Sequence, residues 1–245
     1  MRNSSIAEDR AKIFPQMLKM LNSISSDCLM IVDREAINFI VVDDANRCLV
    51  VAKIKKKLFP KWSIRKKHVM SINIDILRKV TLSNNKITSI TEEGSSSVRL
   101  VLGDMDGITL TISKAESSNN KFKMTKLRKS DTLLSLKVPT DDFVTFLKTV
   151  SQIADDIKFT VNNKGLMVSV EYLNYMISKG LIFKDLENNT KMIEFIVPAR
   201  YLKALIPILN VTSFLYITLT KSNVVKFTVG KKGLYKIEMW ISCSS

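Results

Sequence analysis

The sequence is poor in the residues that metal-dependent and histidine-dependent enzymes need. His68 is the only histidine among 245 residues, so a histidine triad or a multi-histidine metal site is hard to build. The cysteines show no metal-binding spacing, and their odd, sparse count predicts free thiols. We therefore expect no metal and no cofactor. The cysteines are Cys28, Cys48 and Cys243, and the first two fall in apolar runs, where a free cysteine is usually buried.

Long apolar runs are also missing. No stretch of about 18 apolar residues is present, so we expect no transmembrane helix and no membrane partner. The first ten residues, MRNSSIAEDR, lack the apolar centre of a signal peptide, and we expect no secretion. Aromatic residues make up only 7% of the chain, but a hydrophobic content of 46% can support packed cores. The length fits two domains of about 120 residues each.

An internal repeat is the most informative feature that is present. Residues 14–41 match residues 143–170 without a gap, at a constant offset of 129. A solenoid unit has a period of about 20–50 residues, so this offset predicts two copies of one domain instead. We expect domains at 1–113 and 136–245, joined by a polar, then basic, connector at 114–135. The matching pairs are Phe14 with Phe143, Leu18 with Leu147, Lys19 with Lys148, Ile24 with Ile153, and Asp27 with Asp156.

Each copy is predicted to begin with an amphipathic helix, followed by strands, a second short helix and a late hairpin. Pro15 is expected in the first turn of its helix, where its missing N–H costs nothing. The second copy should start its helix at Pro139 and Thr140. The second helices are expected at 75–82 and 199–210, and Pro207 should kink or end the latter. Strands are expected at 28–32, 37–42, 48–55, 69–74, 98–102, 108–112, 157–161, 166–170, 193–197, 224–229 and 234–241.

The net charge of +15 predicts a polyanionic partner, nucleic acid before an anionic membrane surface. On a helical wheel, Lys19 and Lys148 lie opposite the apolar sides of the two first helices. The second helices carry Arg78 and Lys79, then Arg200 and Lys203. Each residue alone fits an ordinary solvated side chain. Their recurrence over four helices favours one common surface for a polyanion.

Four segments, taken in order with the duplication, resemble the sliding clamps of the proliferating cell nuclear antigen family over residues 10–242. VPTDDFVTFLKTVSQIAD is similar to the first helix of the family's second domain, and PARYLKAL to its last helix. NVVKFTVGKKGLYKIEMW is similar to the terminal hairpin. INIDILRKVTLSNNKITSI is similar to the second helix of the first domain with its flanking strand.

The resemblance implies an α+β fold, a duplicated clamp domain with antiparallel sheets outside and two helices per domain on the inner face. It implies a ring of six such domains, a homotrimer, closed around duplex DNA. Such a ring is not an enzyme. It tethers a DNA polymerase and other clients by topology, and a clamp loader would place it on DNA where one is used. Its place would be the nucleus or a viral replication site. Subunits would join by pairing residues 108–113 with 176–183.

The resemblance also implies the site residues. A family client pocket would lie between the connector, the strands near the first hairpin and the C-terminal strand, although core packing is an alternative for Val42 and Leu49. Asp104 and Asp106 are better interpreted as turn residues than as metal ligands. The implied DNA-binding residues are Lys19, Lys79, Lys148 and Arg200, with Lys12, Arg78 and Lys203 on or beside the same helices. The implied partner-binding residues are Val42, Leu49, Phe122, Met124, Leu127, Trp240 and Ile241.

Two departures from the family keep alternatives open. The chain is strongly basic, and residues 53–67 alone hold eight basic residues in fifteen. That segment fits a solvated loop, a nuclear-import signal or an extra DNA contact. Trp240 and Ile241 also replace residues that are typically small or proline. The alternatives are a viral clamp-fold processivity or transcription factor that binds DNA by charge without a closed trimer, and one subunit of a heterotrimeric checkpoint clamp.

Overall fold

A computed structural model of the chain describes residues 2–84, 87–94, 96–103, 108–113, 132–162, 165–173, 175–181 and 192–243. Within these ranges the chain forms four α-helices, one short 3-10 helix and sixteen strands. The helices are α1 (Arg2–Asn22), α2 (Ile74–Asn84), α3 (Thr140–Val150) and α4 (Ala199–Leu209), with the 3-10 turn at Lys56–Leu58. The strands are β1 (Asp27–Val32), β2 (Ala36–Val42), β3 (Cys48–Lys55), β4 (Lys61–Ser63), β5 (His68–Asn73), β6 (Ile87–Glu93), β7 (Ser97–Leu102), β8 (Ile108–Ser113), β9 (Thr132–Pro139), β10 (Asp156–Asn162), β11 (Gly165–Tyr172), β12 (Tyr175–Leu181), β13 (Ile193–Pro198), β14 (Phe214–Thr220), β15 (Val224–Lys231) and β16 (Tyr235–Ser242).

The chain divides into two compact units. The first lies within Met1–Leu127 and includes Val229–Met239, and the second lies within Arg128–Thr228 and includes Trp240–Ser245. The expected domains 1–113 and 136–245 and the connector 114–135 stay a prediction. Two observations bear on them: β9 begins at Thr132, inside the expected connector, and the first unit takes in Val229–Met239.

In the first unit, one sheet has the order β5-β1-β2-β3-β16 and a second has the order β4-β6-β7-β8. Helices α1 and α2 pack against each other. Phe14 of α1 meets Phe39 of β2 edge-on, with ring centroids 6.0 Å apart, and meets Phe59 at 6.4 Å. All three rings are buried, and each contributes about 1.5–3 kcal/mol through removal of apolar surface from water. These contacts place α1 on the face of the sheet that carries Phe39.

In the second unit, the strands are ordered β12-β11-β10-β13 in one sheet and β15-β14-β9 in the other. Helices α3 and α4 pack against each other. The core centres on Phe159 of β10, whose ring stacks on Phe195 at 4.9 Å and also contacts Phe143 of α3 and Phe227 of β15. The amphipathic pattern of α3 therefore does what its sequence predicts: its apolar side fills the core.

The repeat seen in the sequence is confirmed in the hydrogen bonds. Asp27 begins β1 and Asp156 begins β10, and each strand pairs antiparallel with the strand that precedes the second helix of its unit. The first residue of each second helix then bonds back to an equivalent carbonyl. Ile74 N–H donates to the Ser26 oxygen at 2.8 Å, and Ala199 N–H donates to the Asp155 oxygen at 2.7 Å. Ser26 and Asp155 are 129 residues apart, the offset of the sequence repeat.

Most expected elements are confirmed to within a residue or two, and one expectation about a helix start is wrong. Pro15 lies inside α1, which begins at Arg2, and not in its first turn. A proline inside a helix forgoes one backbone hydrogen bond, and the apolar face that α1 buries offsets that loss. Pro207 also lies inside its helix, α4, which ends two residues later at Leu209, as the expected helix end required. No helix among the described residues is long and apolar enough to span a membrane.

Candidate nucleic-acid interface

Helix α1 exposes two of the predicted DNA-binding residues. Lys12 and Lys19 are exposed, whereas Phe14, Met17 and Leu18 are buried in the first unit. The two lysines are seven residues apart, which is close to two helical turns, so they share one side of α1 about 10 Å apart along its axis. Both lysines can therefore face the same polyanion.

Helix α2 holds its two predicted residues in an ion-pair cluster. Asp75 Oδ2 lies 2.6 Å from Lys79 Nζ, and Asp75 Oδ1 lies 2.9 Å from Arg78 Nη2. Hydrogen bonds from Lys79 and then Arg78 lower the pKa of Asp75 below its ordinary value, so the carboxylate is charged at neutral pH. Arg78 Nε is buried without a hydrogen bond. One acid therefore offsets part of the charge that the sequence analysis assigned to this helix.

Asp75→Asn is expected to strengthen binding to duplex DNA. Loss of the carboxylate releases Lys79 and Arg78 toward phosphate, and each added phosphate contact steepens the slope of log affinity against log salt by about 0.9. Fluorescence anisotropy of a labelled duplex at several salt concentrations measures this slope. Asp44→Asn is the matched control, because Asp44 is an exposed acid in the turn between β2 and β3. An equal gain in both variants would mean that net charge alone acts, and that α2 does not face DNA.

Helix α3 carries mixed charge. Lys148 is exposed in its last turn, where a cation also interacts favourably with the helix dipole. Asp141 and Asp142 lie in the first turn, and Asp142 Oδ1 is 2.8 Å from Lys179 Nζ of β12. The basic end of α3 is therefore the part that suits a polyanion.

Helix α4 contains no acidic residue at all. Arg200 Nη2 donates to the Tyr201 hydroxyl at 2.6 Å, and the guanidinium lies 4.6 Å from the ring centroid in a cation–π contact. Lys203, three residues on, is exposed on the same side of the helix. The Tyr201 contact fixes the direction of Arg200, and α4 itself contributes no acidic side chain that would offset its positive charge.

The predicted client residues fall into three groups. Val42 and Leu49 are cross-strand partners on β2 and β3 and are half-buried, so the structure brings these two together. Trp240 is half-buried on β16, and Lys226 Nζ lies 4.7 Å from its ring centroid. Phe122, Met124 and Leu127 lie outside the described residues.

Ile241 needs a correction. Its side chain has no solvent exposure, and it lies on the opposite side of β16 from Trp240 because neighbouring residues of a strand alternate between faces. A client peptide cannot reach it in this structure. The sequence did not reveal this, because a continuous apolar ending such as MWI does not show which residue of a strand faces the core.

Two strands lie at the ends of their sheets with much of their surface exposed. β8 ends the β4-β6-β7-β8 sheet, and β12 ends the β12-β11-β10-β13 sheet. Tyr175 and Met176 of β12 are 71% and 66% exposed, and Ile108 of β8 is 45% exposed. Exposed strand edges of this kind favour addition of another strand. These strands contain the segments expected to pair between subunits, 108–113 and 176–183, of which residues 182 and 183 lie outside the described ranges.

Within the described ranges, no group of three or more His, Cys, Asp or Glu residues could hold a metal ion. Cys28 and Cys48 are buried free thiols, as expected, and burial raises the pKa of Cys28 to about 12, so that thiol stays protonated. His68 is buried, with Nε2 3.5 Å from Glu92 Oε1. Asp104 and Asp106 lie outside the described residues.

Two antiparallel α+β units, each with a packed helix pair and a shared repeat, define the duplicated clamp fold. The chain is similar to the crystal structure of Proliferating Cellular Nuclear Antigen from Entamoeba histolytica, with a TM-score of 0.79 and 12% sequence identity over 96% of each chain. At that identity the likeness establishes the fold, and it confirms the fold class predicted from the sequence. No family model matches the sequence, and no curated protein does.

Proposed function

We propose that this protein is a DNA sliding clamp, a processivity factor that encircles duplex DNA and tethers a DNA polymerase and other replication proteins without catalysing a reaction. The observation that carries the proposal is the fold itself: two clamp units, each with a helix pair that exposes basic residues. The net charge of +15 supports a polyanionic partner.

The proposed assembly is a closed homotrimer in which β8 of one subunit pairs with β12 of the next. Both are terminal strands of their sheets, and a head-to-tail interface of this kind closes a ring when the rotation permits. The proposed DNA contacts are the helix lysines and arginines: Lys12, Lys19, Arg78, Lys79, Lys148, Arg200 and Lys203. Contact through phosphates would be independent of base sequence and sensitive to salt.

The proposed client-binding residues are Val42 and Leu49 on β2 and β3, Trp240 on β16, and the connector residues Phe122, Met124 and Leu127. The clients would be a DNA polymerase and other replication proteins, and a clamp loader would open the ring. The expected place of action is the nucleus or a viral replication site.

Replacing Lys19, Lys79, Lys148 and Arg200 together by Ala is expected to flatten the salt dependence of duplex binding. Each direct phosphate contact contributes about 0.9 to the slope, so four contacts would remove up to about 3.6. The matched control replaces four exposed basic residues outside the helices and outside residues 53–67, namely Arg47, Lys137, Lys221 and Lys236, and should change the slope less.

Retention on circular compared with linear DNA distinguishes encirclement from binding by charge alone. A closed ring loaded on DNA at low salt stays on a closed circle at high salt and slides off the same DNA after it is cut. Encirclement would be contradicted if the protein were lost equally from circular and cut DNA and if the variant with Lys19, Lys79, Lys148 and Arg200 replaced by Ala kept the wild-type slope.

The second candidate is a clamp-fold DNA-binding protein that acts by direct charge contact as a monomer or dimer, such as a viral processivity or transcription factor. The observation that favours it is the excess of positive charge outside the helices, in residues 53–67. A subunit of a heterotrimeric checkpoint clamp is a third possibility. Light scattering separates the first two: a mass of about three times 27.8 kDa fits the homotrimer, and one or two times that mass fits direct binding.

A further inference from the structure

Several basic chain segments meet at one end of the main sheet of the first unit. Val32 pairs with Ile37 across the β1–β2 turn and with His68 at the start of β5. Lys55 at the end of β3 pairs with Ala36, and its N–H donates to the Leu234 oxygen in the β15–β16 turn at 2.8 Å. The turns and strand ends at this edge carry nine basic residues, which we call the basic end: Arg34, Lys55, Lys56, Lys57, Arg65, Lys66, Lys67, Lys231 and Lys232.

Three acids lie among these residues, and each is already engaged. Asp33 Oδ1 accepts hydrogen bonds from the backbone N–H groups of Glu35 and Ala36, which closes the turn. Glu35 Oε1 pairs with Lys56 Nζ at 2.7 Å, and the hydrogen bond from Lys56 lowers the pKa of Glu35.

Glu92, the third acid, accepts a hydrogen bond from the Arg65 N–H at 3.0 Å and lies 3.8 Å from Lys66 Nζ. Among the described residues, Lys57, Arg65 and Lys67 have no acidic side chain within ion-pair distance, and all three are exposed. The nine basic residues of the basic end therefore outnumber the three acids described beside them.

The backbone of the basic end is held in place by the core beneath it. Leu58, Phe59 and Ile64 are buried. β4 pairs in parallel with β6, and Phe59 packs edge-on against Phe14. A linear import signal needs an accessible, extended backbone, whereas these anchors fix the segment as a folded surface. The backbone positions from which these charged side chains extend are thus fixed.

The arrangement concentrates like charges. Arg34 Nε donates a hydrogen bond to the Arg65 carbonyl oxygen, which holds the Arg34 side chain against the backbone of the adjacent segment that carries Arg65. Like charges in such proximity repel, and a bound polyanion relieves the repulsion. Arginine guanidinium groups also match the geometry of phosphate oxygens.

The aromatic residues of this edge favour duplex over single-stranded nucleic acid. Phe59 is buried, and Trp62 is only partly exposed and packs against Phe59 at 5.3 Å. Single-strand binding uses exposed rings on which bases stack. A surface with charge and without such rings suits the duplex, which carries one negative charge per about 1.7 Å of its axis.

We propose that the basic end is a second DNA-binding surface, which holds the phosphate backbone of double-stranded DNA separately from the helix lysines. It does not require the chain to close into a ring. In a clamp, it would contact duplex that lies outside the encircled segment. In a protein that does not close, it would be the main DNA contact.

The test uses Lys57→Gln with Lys67→Gln in the full chain. Anisotropy of a short fluorescent duplex, measured from low to moderate salt, should show a slope of log affinity against log salt reduced by about 0.9 for each of the two lost contacts. The matched control is Arg47→Gln with Lys221→Gln, two exposed basic residues in other turns, which should leave the slope close to that of the wild type. An unchanged thermal midpoint verifies the fold of both variants.

A slope no lower than that of the control would overturn the proposal. So would a result in which the Lys57 and Lys67 variant keeps duplex affinity but loses binding to a poly-glutamate peptide, because the surface would then fit an acidic protein segment. These outcomes are independent of the circle-against-linear comparison for the wild type. Failure of the second surface and failure of encirclement can therefore be told apart.

Discussion

Phe159→Ala is expected to lower the free energy of unfolding of the second unit by about 3–5 kcal/mol. Phe159 has no solvent exposure, and its ring contacts three others, Phe143, Phe195 and Phe227. Its removal loses the transfer free energy of the ring and leaves a cavity between elements that cannot fully collapse. Urea denaturation, with Trp62 replaced by Phe so that Trp240 reports on the second unit, measures the change.

The matched control is Phe214→Ala. Phe214 is 44% exposed, and its ring lies under Lys137 Nζ at 3.9 Å, so its loss should cost about 1 kcal/mol or less. A loss in Phe159→Ala no larger than in Phe214→Ala would mean that the aromatic cluster is not the centre of this core.

Thr111→Pro is expected to reduce the solution mass from about three times 27.8 kDa to 27.8 kDa, if β8 is the proposed subunit edge. Proline removes a backbone donor from a strand and is poorly accommodated in the middle of a sheet. Thr111→Ala is the control: it loses the hydroxyl that donates to Glu93 Oε2 at 2.9 Å but keeps the N–H, and it should remain a trimer. Light scattering gives the mass, and circular dichroism verifies the fold.

A second variant covers the case in which Thr111→Pro unfolds the first unit. Met176→Pro lies on β12 in the other unit and tests the partner edge of the same interface. A folded trimer in either proline variant would place the interface elsewhere.

Most of the fold could be predicted from the repeat and from the alternation of apolar residues. Residues 14–41 and 143–170 predicted two equivalent units, and the equivalent bonds from Ile74 and Ala199 confirm it. Pro15 escaped prediction because a proline suits either the first turn or, at a cost of one hydrogen bond, the interior of a helix that tertiary packing stabilises. Assignment of Val229–Met239 to the first unit was not predictable, because sequence periodicity does not reveal which partner strand an edge selects.

The sequence predicted which residue types form the candidate site. It did not predict which of their charges are paired with acids. The exposed positions of Lys19 and Lys148 follow from helical spacing. The ion pair between Lys79 and Asp75 does not follow from spacing alone. An acid four residues before a lysine on a helix is equally compatible with two separately solvated side chains. The basic end was visible in sequence as one dense segment. Its extension to Arg34 and the β15–β16 turn depends on strand register, which links residues far apart in the chain.

The division of the first unit has a consequence for biosynthesis. Val229–Met239 is translated about 100 residues after residue 127, and a ribosome adds about 5–20 residues per second, so the first unit waits about 5–20 s for its last strand. Until β16 arrives, β3 has one unpaired edge, and such an edge can capture a strand from a neighbouring nascent chain. Ribosomes that follow one another on a single message would bring those edges close together. The edge of β3 is thus open to such capture from the translation of β3 until that of β16.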